Sequence, residues 1–187
     1  MHTPFICKIL SISIAVLASI SDCVAQPSIE EKKSKPLVVL VSLDGFKPSY
    51  LSHELTPHLY KLAQEGAQAT GLISAFPSLT FPNHVTLVTG QTPDQHGIVN
   101  NTMTDPSSPQ RFTLGSRDAV ENPFWWQEAY PIWVKLRQQG KIASTLFWPG
   151  SEVTIQGHLP NDWLRYEHNM THEARLELLM SWLTRDV

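Results

Sequence analysis

Two cysteines, Cys7 and Cys23, are all that 187 residues contain, and both fall within the first 25. A chain that sheds those residues keeps no thiol, which excludes disulfides, a cysteine nucleophile and cysteine metal ligands. Charge is also scarce, at 17% of residues, with a net value of −3 and Lys32-Lys33 as the longest basic run. That balance lacks the counterion-release force on which nucleic-acid binders depend, so DNA or RNA is not expected as a structural partner, although a nucleotide substrate is compatible with it. The longest leading apolar run, Ile9 to Ile20, has 12 residues. A bilayer-spanning helix needs about 20, so no permanent membrane span is expected. What the chain does have is 42% hydrophobic residues, enough for a folded core rather than a disordered tail.

Lys8, the apolar run after it and the small residues Cys23-Val24-Ala25 ahead of Gln26 predict a signal peptide over residues 1–25 and export to the periplasm or the outside. A lipid-anchor role for Cys23 is disfavoured by Asp22, which stands where a small residue is wanted. Taking 25 residues from 187 leaves 162, a length that can bury roughly 70% of its unfolded surface.

Residues 26–35 are polar and Lys/Glu-rich and read as a linker. Pro36 to Leu43 is a β-branched run without alternation, the pattern of a parallel strand covered on both faces. Thr56-Pro57 opens a helix with an inward stripe of Leu59, Leu62 and Ala63, stopped by Gly66. Gln68 to Ala75 reads as a second strand, and a second helix runs from Thr80 or Asn83 to Thr89, ended by Gly90. Gln91 to Tyr130, rich in Pro, Asn, Asp and Ser, reads as long functional loops. A third helix over Pro131 to Gln139, a third strand over Ile142 to Phe147 and a fourth helix over Thr171 to Arg185 follow. Alternating strands and helices predict an α/β fold with a mainly parallel sheet.

In such sheets ligands gather beyond the carboxyl ends of the strands. Asp44 ends the most apolar strand and is placed either to hold a divalent metal or to cap a strand-to-helix turn. Thr80, in Pro77-Ser-Leu-Thr-Phe-Pro-Asn-His84, opens a helix whose N-terminus attracts phosphate. It is a nucleophile or an ordinary N-cap; as a nucleophile it needs a metal or a base to activate it. Asn83 reads as a second cap.

Val-Ser-Leu-Asp44-Gly-Phe, Pro-Ser-Leu-Thr80-Phe-Pro-Asn-His, Val-Thr-Gly90 and His96-Gly-Ile-Val-Asn-Asn101 resemble, in order and spacing, the nucleotide pyrophosphatase/phosphodiesterase family of the alkaline phosphatase superfamily. Trp125-Trp126 with Pro131-Ile-Trp133, and Phe147-Trp-Pro-Gly-Ser-Glu152, are similar to two further family blocks. The resemblance implies an alkaline-phosphatase-like α/β domain, of which residues 36–187 are about the first half. It also implies a two-zinc esterase in which Asp44 and Thr80 are metal ligands and Thr80, as an alkoxide, forms a covalent phospho-threonine. Asn101 matches the amide that hydrogen-bonds a phosphate oxygen in the transition state, a donor whose loss typically costs about 10²- to 10³-fold. Phe81 is either a face for the substrate's leaving group or a core residue at the helix start.

Other histidines are set aside. His96 matches a structural turn of the family, Thr171 as N-cap puts His168 outside the helix that His172 begins, and Thr154 stands where an aspartate paired with His158 would be needed. The six tryptophans read as packing and pocket wall. Asn100-Asn-Thr102 and Asn169-Met-Thr171 fit the glycosylation pattern, and a glycan at Asn100 would crowd Asn101. A sulfatase is disfavoured, because Phe81-Pro82 follows Thr80.

The family's other zinc ligands are expected after Val187, so the 187-residue chain alone is expected to lack a complete bimetallic site. Its unpaired sheet edge and apolar helix faces should be exposed where the rest of the domain packs. The leading expectation is zinc-dependent hydrolysis of nucleotide-type phosphodiesters or pyrophosphates. A lipid-type phosphodiesterase or phosphomonoesterase and a non-catalytic remnant are the alternatives.

Overall fold

The computed structural model describes residues 37–185; the signal-peptide and linker readings lie outside the described residues. The chain divides into two units, residues 1–42 and 43–187. In the first, residues 37–42 form no strand, and their apolar side chains face outward, Val38 being 86% exposed. The strand expected over Pro36 to Leu43 is therefore absent at every described position. The second expected strand, Gln68 to Ala75, is absent too, with Ile73 96% exposed. Both corrections have one physical cause: a strand apolar on both faces forms only between hydrogen-bonded neighbours under covering helices, and no described strand pairs with either segment.

The second unit opens with a turn at Asp44-Gly45 and a short 3-10 turn at Pro48–Tyr50. Helix α1 spans Pro57–Glu65, with Pro57 in its first turn and the Gly66 N–H closing on the Leu62 carbonyl. It has no buried residue, so the stripe of Leu59 and Leu62 is exposed rather than inward. Helix α2, Thr80–Thr89, ends at Gly90 in the left-handed region at φ 70°, where glycine carries no Cβ penalty.

The stretch read as long loops is the main contributor to the core. It holds α3 (Pro93–His96), an antiparallel pair of β1 (Thr102–Met103) and β2 (Phe112–Thr113), α4 (Arg117–Val120) and a 3-10 turn at Pro123–Trp126. Ile98, Met103, Phe112, Val120, Trp125, Trp126 and Ala129 from this stretch pack with Val85 and Val88 of α2 and with Trp133 and Val134 of α5 (Ile132–Gln138). Elements of two to four residues are too short to show a hydrophobic period, which is why their burial is invisible in the sequence pattern.

The third expected strand forms as β3, Ser144–Leu146, and pairs in parallel with β4, Asp162–Leu164. Asn161 locks this register: its backbone N–H donates to the Ala143 carbonyl at 2.7 Å, and its side-chain oxygen accepts from the Ala143 N–H at 2.9 Å. Helix α6, His172–Leu183, begins at Thr171, whose hydroxyl accepts from the Ala174 N–H. This leaves His168 outside the helix, against Tyr166.

Candidate active site

The local structure around Thr80 follows from what the start of α2 lacks. Leu79 at the N-cap has no side-chain oxygen to offer, and Pro82 in the first turn has no N–H. Other side chains satisfy the backbone there. The Asn101 side-chain oxygen accepts from the Phe81 N–H at 2.9 Å, which leaves the amide's –NH₂ as the end with hydrogens to give. The Leu114 N–H fixes the backbone of Asn101 from the other side at 3.0 Å. The His84 ring nitrogen Nδ1 lies 2.7 Å from the Thr80 carbonyl, and the Trp148 indole donates to the His84 carbonyl at 2.9 Å. The Trp148 ring meets His84 edge-on at 5.5 Å between centroids.

Asp44 reaches this helix start from a tight turn. The Phe46 N–H closes the turn on the Leu43 carbonyl, and Gly45 sits at φ 71°, a conformation open to glycine. The Thr80 hydroxyl donates to Asp44 Oδ2 at 3.1 Å, across 36 residues of chain. Asp44 is exposed and Thr80 half-buried, so the pair is open to a substrate. The structure thus brings Asp44, Thr80, Phe81 and Asn101 together at one end of α2. The Phe81 ring is half-buried and lies edge-on to Phe112 at 5.7 Å, so core packing accounts for part of its surface.

Asp44 and Thr80 offer two oxygen donors 3.1 Å apart. That donor set suits part of a zinc shell, which takes three or four protein groups. Among the described residues no group of three His, Cys, Asp or Glu side chains comes together as a metal site.

His96 is fully buried between α2 and α3. The Ile98 N–H donates to its Nδ1 at 3.2 Å, which puts the ring proton on Nε2, 3.1 Å from the Thr86 hydroxyl. Burial is the largest influence on this imidazole and lowers its pKa below the ordinary value. With both nitrogens engaged inside the protein, His96 ties α3 to α2.

The model of the type I phosphodiesterase / nucleotide pyrophosphatase family matches residues 38–187. The chain belongs to that family. It is 41% identical over 160 residues to the bovine ectonucleotide pyrophosphatase/phosphodiesterase family member 3, a match covering 84% of this chain and 18% of that protein. It is 36% identical over 172 residues to a bis(5'-adenosyl)-triphosphatase of Xenopus laevis, covering 92% of this chain and 37% of that one. Among solved structures, it is similar to murine ectonucleotide pyrophosphatase/phosphodiesterase 5 in an inactive threonine-to-alanine form in complex with AMP, with 33% identity and a TM-score of 0.72. That similarity covers 78% of this chain and 38% of the murine chain. The fold is accordingly the alkaline-phosphatase-like α/β fold of the family, of which this chain spans a part. It spans less than two-fifths of the length of each of these relatives.

Asn83, expected as a second cap, instead turns its amide back onto the Ala75 N–H and the Pro77 and Leu79 carbonyls. Sequence reasoning missed the contacts of His84 and Trp148 at the start of α2, for which the pattern held no signal.

Proposed function

We propose that this chain carries the nucleophile of a zinc-dependent phosphodiesterase/pyrophosphatase acting on nucleotide-type substrates. The observation that carries the reading is the 3.1 Å hydrogen bond from the Thr80 hydroxyl to Asp44 at the N-terminus of α2, with Asn101 anchored one residue away. Two features of the relatives support it. The murine protein is inactive in a threonine-to-alanine form seen with AMP, and the frog relative is named for a dinucleoside triphosphate substrate.

In this reading the phosphate docks against the helix N-terminus, where the dipole favours negative charge. The Asn101 –NH₂ donates to a non-bridging oxygen as charge grows there. Thr80 Oγ1 loses its proton to solvent and attacks phosphorus, an Oγ1–P bond forms, and the bond to the leaving oxygen breaks, giving a phospho-threonine and a leaving group that departs as an anion or takes a proton from water. Water then cleaves the Oγ1–P bond, releases phosphate product and restores the hydroxyl. Asp44 and Thr80 would hold one of two zinc ions, whose role when bound is to lower the pKa of the hydroxyl and offset charge on the attacking and leaving oxygens. The remaining ligands come from the part of the family domain that this chain does not span. Residues 1–25 direct export, and amino-terminal sequencing of the purified protein should then begin near Gln26.

The test compares hydrolysis of bis-p-nitrophenyl phosphate and of a nucleotide 5'-nitrophenyl ester, with metal content, for the full-length protein and its Thr80→Ala variant. The expected result is zinc-dependent turnover, preference for the nucleotide ester, and loss of turnover with an unchanged melting curve in Thr80→Ala. Unchanged turnover in that variant would sink the nucleophile assignment. Preference for the simple diester would favour a lipid-type or other diester substrate. Turnover by the 187-residue chain alone with two bound zincs would overturn the division of ligands.

A further inference from the structure

We infer that Asn83 is a positioning residue for the Thr80 nucleophile: its amide braces the turn that delivers Thr80 into the site. The inference rests on the phosphodiesterase reading above and adds to it a residue that touches neither substrate nor metal.

A cap at the start of a helix satisfies the helix's own first N–H groups. Asn83 lies a turn inside α2 and reaches backward instead. Its Oδ1 accepts from the Ala75 N–H at 2.7 Å, and its Nδ2 donates to the Pro77 carbonyl at 3.0 Å and to the Leu79 carbonyl at 2.9 Å. One amide therefore joins three backbone groups spread over residues 75–79, using its acceptor and both donors. The turn has few other means of holding its shape. Within it a backbone bond runs from the Leu79 N–H to the Pro77 carbonyl at 2.8 Å, and Ser74 and Ser78 share a hydroxyl contact at 3.0 Å. Phe76 is 91% exposed, so hydrophobic burial does not pin it.

The geometry links this brace to chemistry. Residue 80 follows directly on the braced turn, and its Oγ1 meets Asp44 at 3.1 Å. Displacing a reacting atom by about 1 Å costs roughly 10²-fold in rate. Asparagine meets all three demands at once, whereas aspartate keeps the acceptor for Ala75 but puts an acceptor oxygen where the one –NH₂ group donated to both carbonyls.

The experiment uses the full-length protein and its Asn83→Ala, Asn83→Asp and Thr80→Ala variants. It reads kcat and KM on bis-p-nitrophenyl phosphate, backbone hydrogen exchange and thermal midpoint. For both Asn83 variants the expected result is a kcat loss of about 10²-fold with KM within about threefold. Exchange should quicken within residues 75–81 while the amides of α5 keep their protection. Full kcat in either variant, or unchanged exchange over residues 75–81, would overturn the proposal. So would exchange that quickens throughout α5, because Asn83 would then be supporting the fold at large. If wild type and Thr80→Ala turn over equally, the phosphodiesterase reading itself falls, an outcome distinct from a failure confined to the Asn83 variants.

Discussion

His96 shows how one residue can tie stability to pH without taking part in catalysis. Burial lowers its pKa in the folded protein, while the unfolded imidazole titrates near 6.5. Above about pH 6.5 neither state is protonated and the residue adds no pH dependence. As pH falls below that value the unfolded chain takes up a proton that the folded one refuses, so stability is lost until the lowered folded pKa is reached. The thermal midpoint of the wild type should therefore drop more between pH 7.5 and 5.5 than that of His96→Gln. The variant itself should be less stable at pH 7.5, because it gives up packing and the bonds to Thr86 and Ile98. Parallel pH profiles for the two proteins would refute this account. Thr80 and Asn101 differ from His96 in being only partly buried.

At the scale of elements, the block Phe147 to Glu152 is set by a close approach that only glycine permits. Gly150 lies at φ 84°, and a Cβ there would come within 2.4 Å of the Trp126 ring, itself fixed by an indole bond to the Val120 carbonyl at 2.8 Å. Gly150→Ala combines overpacking with left-handed backbone strain, about 2–4 kcal/mol in all. Thermal melting should show a fall of roughly 5–15 °C; a fall under about 2 °C would mean that the Trp126 ring yields freely. Elements of this kind also explain what the sequence made readable. α2, α5 and α6 carry their own stop or cap signals in Gly90, Gly140 and Thr171, and they form where those signals put them. The Asp44–Thr80 meeting was readable only through the family resemblance, because no local rule links residues 36 apart. The core from Ile98 to Ala129 was not readable, since its elements are shorter than any period. The two expected parallel strands failed for the opposite reason, their pattern being clear and their partners absent among the described residues.

For the molecule as a whole, the striped surfaces are as informative as the core. Leu59 and Leu62 on α1, Leu72 and Ile73 before the nucleophile turn, and Leu176, Met180 and Leu183 on α6 are all exposed. Apolar surface of this extent binds hydrophobic dyes. The isolated 187-residue polypeptide should raise the emission of such a dye, and Leu72→Ser with Ile73→Asp should reduce it while leaving the melting point within a few degrees, as substitutions away from packing do. A collapse of the melting point would place those side chains in the core instead. The aromatic core has a different consequence, for the order of assembly. Its members are spread from α2 to Ile155, and its ring contacts join residues as far apart as Phe81 and Trp126, 45 positions along the chain, so the loops that close to build it are long. The parallel pairing of β3 with β4 joins partners only 18 positions apart. Low sequence separation speeds folding, so the strand pair closes the shorter loop, and assembly of the cluster around Trp126 should set the folding rate.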